Sequence, residues 1–225
     1  MRLRRINIAD FYSSVADDHH PDCFARWDHV LHSEVEEYIE LLKHARTEGP
    51  MQAFFHLHRH FLVEHLRGGH GRWAIAQQRL GCKYVTDFMI GASHSFGADW
   101  VAVELESPSA RLFTKSGDPT AALTHAIRQI QDWRAWLTNN LEYARKSEVE
   151  GGLGLQNIRP DLEGLIIIGR RSRLLESDNV LRSQMSHDLK IAIHTYDYIT
   201  DIARGKAQLW DQLEELKRRK NKPSW

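Results

Sequence analysis

The chain has 225 residues, of which 42% are hydrophobic and 27% charged, an ordinary composition for a folded domain with one sizeable core. Thirty basic and 30 acidic residues cancel, which excludes steering of the whole molecule toward nucleic acid or an anionic membrane, so such contacts depend on local patches. Two cysteines, Cys23 and Cys82, exclude a disulfide framework and a four-thiolate metal site.

Targeting signals are weak. The start MRLRRINIADFYSS lacks the apolar segment of a signal peptide, and no apolar run approaches the roughly 20 residues that span a bilayer. We therefore expect a reducing, cytoplasmic compartment and no membrane contact. Basic patches occur at Arg2, Arg4 and Arg5, at 170–173 and at 217–222; such runs are usually solvated faces or tails, and the alternative is a local nucleic-acid contact.

The first half of the chain predicts helices followed by a meander. From Asp22 to Leu66 apolar residues recur at spacings of three and four, and the turn sequence TEGP separates two helices. The GGHG run at 68–71 ends this helical region. Strands are predicted at 73–77, 83–90 and 99–106, and GASHSFGA between the last two is a loop of hairpin length.

The second half predicts a long helix and then alternating strands and helices. Asp118 or Thr120 can cap an amphipathic helix through Leu141, and the apolar run 162–169 predicts a strand buried on both faces. A helix at 177–189, a strand at 190–194 and a charged final helix follow. The predicted fold is mixed α/β (α+β), a mixed sheet with a central hairpin flanked by helices. Its predicted divisions are an N-terminal helical segment (1–46), the main domain (47–205) and a C-terminal charged helix (206–225).

An acidic strand end gives the first candidate site. In WVAVELES, strand alternation places Trp100, Ala102, Glu104 and Glu106 on one face. If the hairpin register brings Asp87 opposite or diagonal to Glu104, the two carboxylates can share a divalent cation, which lowers the pKa of a bound water for attack on phosphorus. The alternative is a half-exposed strand with an acidic polar face, which the pattern alone favours.

Longer blocks of sequence carry a family resemblance. TEGPMQAFF, RLGCKYVTDFMIG, the long block from WVAVELES to RAWL, and IAIHTYDYI together resemble the nuclease domain of the Shedu antiphage family, in the PD-(D/E)xK phosphodiesterase superfamily. The resemblance covers about residues 47 to 200. It implies a restriction-endonuclease-like core and a DNA endonuclease, a hydrolase dependent on Mg²⁺ or Mn²⁺, acting against phage or foreign DNA. The alternative is a catalytically inactive DNA-binding or regulatory module on the same fold.

The resemblance also assigns residues. It implies that Asp87 and Glu104 are the two metal-binding carboxylates, joined by the backbone carbonyl of Leu105. Glu48, at the start of the helix GPMQAFF, matches a helix-borne acid that helps to hold metal or water. Gln129 matches the glutamine of a Q-x3-Y helix motif that packs beside the catalytic strands.

Glu106 departs from the superfamily pattern, which places a lysine two residues after the second acid to stabilise charge on the phosphate. Three explanations are open. A cation can come from elsewhere, with Lys115 the first choice and Lys83 or Arg111 next. Glu106 can be a further metal ligand or a general base. The site can also be inactive.

Two other patterns have competing interpretations. His56, His60 and Glu64 lie at i, i+4 and i+8, a spacing that can supply zinc ligands from one helix face, although a polar face with hydrogen-bonded imidazoles is favoured. Trp133, which replaces the tyrosine of Q-x3-Y, and Trp136 can stack on bases, but their helical spacing is more typical of a core or an oligomer interface.

Self-association follows from the resemblance as well, because Shedu-type nucleases are expected to assemble into homo-oligomers. The final helix, from Trp210 to Lys220, is the candidate contact, and a solvated amphipathic terminus is the alternative. No nucleotide-binding motif is identified, so DNA is the expected partner without a nucleotide cofactor.

Overall fold

A five-stranded mixed sheet forms the centre of this computed structural model, which describes residues 20–25, 30–66 and 68–220. The sheet has the order β1-β4-β5-β6-β7, while β2 and β3 pair separately. β1, β4 and β5 are antiparallel neighbours, and β5, β6 and β7 run parallel. The strands are β1 (Gly71–Ala76), β2 (Arg79–Leu80), β3 (Tyr84–Val85), β4 (Phe88–His94), β5 (Gly97–Leu105), β6 (Glu163–Ile167) and β7 (Ile191–His194).

Helices cover both faces of this sheet. Those of the described residues are α1 (His32–His44), α2 (Gly49–Leu57), α3 (His60–Val63), α4 (Ala121–Arg145), α5 (Glu176–Leu189) and α6 (Tyr196–Lys220). One core contains Val101, Val103 and Leu105 with side chains of α1, α2, α3 and α6. The other contains Trp100 and Ala102 with side chains of α4 and α5. Alternate residues of β5 therefore enter opposite cores, as strand geometry requires.

The predicted fold class is confirmed, since a mixed sheet with the β4–β5 hairpin at its centre is flanked by helices. Thr120 caps α4, because its hydroxyl oxygen accepts a hydrogen bond from the Leu123 N–H at 3.4 Å. The predicted strands at 162–169 and 190–194 correspond to β6 and β7, and the predicted helix at 177–189 corresponds to α5. None of the helices in the described part of the chain has the length and apolar character needed to cross a bilayer.

Two predictions about the hairpin were wrong. The strand expected at 83–90 is divided, because β3 pairs with β2 outside the main sheet and β4 begins only at Phe88. Most of the predicted loop GASHSFGA is strand, with His94 and Gly97 forming the last pair before a two-residue turn. Gly91 lies opposite Trp100, and a Cβ there would be 2.7 Å from the indole ring. The glycine thus serves close packing of Trp100 rather than a turn.

Side chains of α1 pack into the core that also contains Val101, Val103 and Leu105 of β5. Tyr38 of α1 is fully buried, and its hydroxyl donates a hydrogen bond to the Tyr196 carbonyl oxygen at 3.0 Å. α1 therefore packs against the start of α6, although it belongs to the predicted segment 1–46. This contact supports the carboxyl end of β5, because the Tyr196 hydroxyl in turn donates to the carbonyl oxygen of Glu106 at 2.8 Å.

Candidate active site

Acidic side chains from three parts of the fold meet at the carboxyl end of β5. Glu104 lies in β5, and Glu106 is the first residue after the end of this strand. Asp87 precedes β4, one residue beyond the Phe88–Val103 pair of the antiparallel register, so it comes opposite Glu104. Glu48 immediately precedes α2 and is exposed, and its charge contributes to the raised pKa values of the other three carboxyls. The structure thus brings together the acids that the sequence singled out.

Asp87 is held by hydrogen bonds to both of its oxygens. Oδ1 accepts from Gln52 Nε2 of α2 at 2.8 Å, and Oδ2 accepts from the Leu105 backbone N–H at 2.8 Å. Burial raises the pKa of Asp87 to about 6, against the lowering effect of the Leu105 N–H and with further raising by Glu48 and Glu106. The carboxyl group is therefore fixed in direction, and at neutral pH it is mainly in the charged form that a cation binds.

Glu104 is the most strongly perturbed carboxyl of the group. It is only 5% exposed, and its Oε1 accepts a hydrogen bond from Gln129 Nε2 of α4. Burial raises its pKa to about 9, with the neighbouring Asp87 and Glu106 adding to the effect. No lysine or arginine among the described residues forms an ion pair with Glu104 or Asp87. At neutral pH this group needs either a proton or a cation from outside the chain.

Glu106 lies beside a histidine that sequence reasoning missed. His125 Nδ1 of α4 is 3.2 Å from Glu106 Oε1, and the His125 side chain is 66% exposed. Burial raises the pKa of Glu106, although His125 opposes the shift. Ligand atoms of Glu104, Glu106 and His125 all lie within 4.8 Å of one another. Asp87 is not in this closer group, so metal binding between Asp87 and Glu104 stays a prediction.

A four-residue helical spacing accounts for the positions of the helix side chains that contact the acidic group, two from α4 and one from α2. His125 and Gln129 are four apart, so they lie on one face of α4 and reach Glu106 and Glu104 in turn. Glu48 and Gln52 are also four apart, and Gln52 reaches Asp87. The missed residues, His125 and Gln52, were thus readable as partners at i−4 and i+4 of residues that the sequence did single out.

The predicted substitute cations do not contact these carboxylates. Lys115 is exposed, and within the described part of the chain no hydrogen bond or ion pair joins it, Lys83 or Arg111 to the acidic group. The Lys83 ammonium lies 4.8 Å from the centre of the Tyr84 ring instead. The side chain that occupies the position beside Glu106 is His125, and a catalytic role for Lys115 remains a prediction without a supporting contact.

The histidines of the α2–α3 region do not have the arrangement that the sequence suggested. His56, His60 and Glu64 do not form one helical face, because the chain leaves helical geometry at His58 (φ −112°, ψ 58°) between α2 and α3. Glu64 instead pairs with Lys206 at 3.2 Å, so the less favoured interpretation, a zinc set on one helix face, does not apply to these three residues.

The tryptophans and the central basic patch have structural roles. Trp133 is fully buried in the core with α4 and α5 side chains, which leaves no ring face for bases. Trp136 is half-buried and packs against Gly81. Arg170 and Arg171 pair with Asp197 and Asp201, so this patch is largely neutralised. The arginines at positions 2, 4 and 5 lie outside the described residues.

The donors of the acidic group suit a hard divalent cation. Carboxylate oxygens from the two strand ends predominate, and such oxygens are the ligands that Mg²⁺ and Mn²⁺ prefer. Burial, and after it repulsion by neighbouring carboxylates, raises the pKa values of Asp87 and Glu104, and a bound cation offsets both costs. The residues present therefore fit a divalent metal ion held by oxygen ligands.

Comparison with known proteins gives a family match. A family model described as "Shedu protein SduA, C-terminal" matches residues 45–199. A solved structure of the restriction endonuclease FokI bound to DNA is similar, with a TM-score of 0.41 and 14% sequence identity. The similarity covers 82% of this chain and 29% of that chain. A search of curated proteins found no match.

Proposed function

We propose, from the premise that this chain belongs to the family of Shedu SduA C-terminal domains, that it is a metal-dependent deoxyribonuclease acting in defence against phage or other foreign DNA. The observation that carries the proposal is the buried carboxyl group of Glu104, which lies beside Asp87 and Glu106 without a lysine or arginine partner in the described residues. Such a group is expensive for the fold unless a cation binds there.

Asp87 and Glu104 are the proposed ligands of Mg²⁺ or Mn²⁺. A metal ion bound there would supply Lewis-acid stabilisation of the phosphate and an acidified water. The contribution of the chain is orientation: Gln52 and the Leu105 N–H fix Asp87, and Gln129 fixes Glu104. Glu48 adds negative charge at the mouth of the group and is proposed to hold metal-bound water.

Glu106 and His125 are the proposed proton-transfer pair. Glu106 occupies the position where the superfamily signature has a lysine, and burial raises its pKa, which makes it a stronger base than an ordinary glutamate. His125 orients this carboxylate through the 3.2 Å contact. His125 is also largely exposed, so its second ring nitrogen can donate a hydrogen bond to a phosphate oxygen, the task for which the sequence suggested Lys115.

Self-association and a cytoplasmic site of action complete the proposal. α6 carries Leu209, Leu213 and Leu216, which are exposed and lie on one helical face. This face is the proposed contact between copies of the chain. Multi-angle light scattering of the full chain tests it: we expect a mass above that of a monomer, and a monomeric mass at micromolar concentration would contradict it.

DNA cleavage by purified protein tests the central proposal. Linear and supercoiled DNA are incubated with wild type, Asp87→Asn, Glu104→Gln and the control Glu163→Gln in Mg²⁺ or Mn²⁺. Glu163 is exposed at the start of β6, so its substitution should leave cleavage unchanged. We expect wild type and the control to cut and both site variants to lose activity. Cleavage that survives both site substitutions would mean that the site is wrongly assigned.

A catalytically inactive DNA-binding module is the second candidate function. The observation in its favour is the absence of the signature lysine, since Glu106 stands in its place and no described lysine contacts the carboxylates. Wild type that binds DNA in a gel-shift assay but cuts neither DNA form with either metal would support this function over the nuclease.

A further inference from the structure

A second cluster of potential metal ligands lies outside the acidic site, where α1 meets the junction of α2 and α3. It consists of Glu34 of α1, His58 between the two short helices, and His60 at the start of α3. One ligand atom from each of these residues lies within 4.8 Å of the others. The three side chains come from separate elements, so the cluster arises from tertiary folding rather than from one helical face.

The distances within the cluster match those of a zinc site. His58 Nδ1 lies 3.4 Å from Glu34 Oε1, and His60 Nε2 lies 3.1 Å from Glu34 Oε2. Two ligands bound tetrahedrally to Zn²⁺ at 2.0–2.1 Å stand about 3.3 Å apart. The two imidazole nitrogens thus lie beside the two oxygens of one carboxylate, and one ligand atom of each residue is within 4.8 Å of the others.

The surroundings favour the ligand forms that zinc requires. The side chains are 15% to 20% exposed, and burial lowers the pKa of His60, which keeps its imidazole neutral. Burial would raise the pKa of Glu34, but the Leu31 N–H, which donates to Glu34 Oε2 at 3.0 Å, is among the contacts that lower it and favour the charged carboxylate. Zinc binds neutral imidazole and charged carboxylate.

A carboxylate also lies near the second nitrogen of His58. Glu37 Oε2 lies 3.8 Å from His58 Nε2, on the side of the ring away from Glu34. Histidines that bind a metal through one nitrogen commonly donate the other N–H to a carboxylate, which fixes the ring and strengthens the ligand. Phe54 stacks on the same ring with centroids 4.3 Å apart.

From this geometry we infer that Glu34, His58 and His60 bind a Zn²⁺ ion that joins α1 to the α2–α3 junction. Water completes the coordination, and Glu37 orients His58 from outside the ligand set. α2 ends directly before His58 and carries Gln52, which donates a hydrogen bond to Asp87. Zinc therefore stabilises the helix that orients one acid of the proposed nuclease site. The zinc site does not depend on the nuclease proposal, because none of its ligands belongs to the acidic group.

Metal analysis of protein prepared without a histidine tag tests the inference. Wild type, Glu34→Gln, His58→Gln and His60→Gln are stripped of metal and titrated with ZnCl₂ against a chromogenic chelator. His56→Gln is the matched control, because His56 is exposed on α2 one turn from the cluster. Asp87→Asn/Glu104→Gln tests independence from the acidic site. Circular dichroism and thermal melts in EDTA show whether each variant is folded before its zinc affinity is compared.

We expect one equivalent of zinc in wild type, in the His56→Gln control and in the acidic-site double variant. Each ligand substitution should lower the affinity by more than about 100-fold, and Glu37→Gln by about 10- to 100-fold. Zinc should raise the melting temperature of wild type and not that of the ligand variants. Wild type without stoichiometric zinc, or unchanged affinity in folded ligand variants, would show a hydrogen-bonded cluster only. Loss of this zinc in the acidic-site double variant would place the ion elsewhere.

Discussion

Replacing Glu104 by glutamine should stabilise the metal-free protein. Glutamine keeps the shape of the side chain and an oxygen that can accept the Gln129 hydrogen bond, but it removes a carboxyl whose pKa is raised from 4.5 to about 9 in the fold. When folding raises the pKa of a carboxyl, its favourable contribution to folding stability is fully present below the unfolded pKa. That contribution is lost as the pH rises toward the folded pKa. Glu104 therefore destabilises the metal-free fold at neutral pH.

The size of the effect follows from the pKa values. Between pH 4.5 and about pH 7.5 the cost to folding grows by ~1.4 kcal/mol for each pH unit, to about 4 kcal/mol. Asp87 and Glu106 share the titration, so part of this cost remains when Glu104 alone is changed. We expect Glu104→Gln to raise the free energy of unfolding by about 1 to 4 kcal/mol at pH 7.5 and by far less at pH 5.

Urea denaturation in EDTA at both pH values measures this difference, with Glu163→Gln as the control for loss of an exposed acid. The same experiment with Mn²⁺ should stabilise wild type and leave Glu104→Gln unchanged, because a ligand that binds only the folded state raises its stability. A variant that is less stable than wild type at pH 7.5, or a difference that does not depend on pH, would refute the electrostatic reasoning.

Three further predictions concern positioning and packing. Gln129→Ala should lower the single-turnover cleavage rate by about 10- to 100-fold and raise the Mn²⁺ concentration needed for half-maximal cleavage, since outer-shell partners of metal ligands have effects of that size. An unchanged Mn²⁺ requirement would contradict this prediction. His125→Gln should lower cleavage by about 10²- to 10⁴-fold and move the acidic limb of the pH–rate profile, whereas a uniformly lower rate at every pH would indicate a merely structural role. Gly91→Ala should cost about 1 to 3 kcal/mol in urea denaturation, because its Cβ meets the Trp100 ring at 2.7 Å; a smaller loss would mean that the ring moves freely.

Much of the fold was predictable because local patterns and tertiary packing agree. The 3.6-residue periodicity of α4, its cap at Thr120 and the uninterrupted apolar run of β6 each indicate the element that forms. The β4–β5 hairpin was harder, since GASHSFGA offers small residues that are typical of loops. Pairing with β1 and packing of Trp100 over Gly91 make most of it a strand, and neither contact is local in sequence.

The candidate site was predictable only along the strands. Alternation in WVAVELES places Glu104 correctly, and the hairpin register places Asp87 opposite it. Gln52 and His125 lie four residues from Glu48 and Gln129, which marks a shared helix face. The rotation of each helix about the sheet is set by the packing of whole faces, so the spacing does not show which carboxylate each side chain contacts. His58 and Glu34 were missed for a similar reason, because a break between α2 and α3 redirects the histidines toward α1.

The position of a bound metal ion tests the central claim most directly. Crystals of tag-free protein in MnCl₂, measured at the manganese absorption edge, locate the ion by anomalous scattering. We predict a peak between the carboxylates of Asp87 and Glu104 that is absent in Glu104→Gln. Cleavage of DNA in the same buffer without a manganese peak at these carboxylates, or a peak that persists in Glu104→Gln, would contradict the proposed active site.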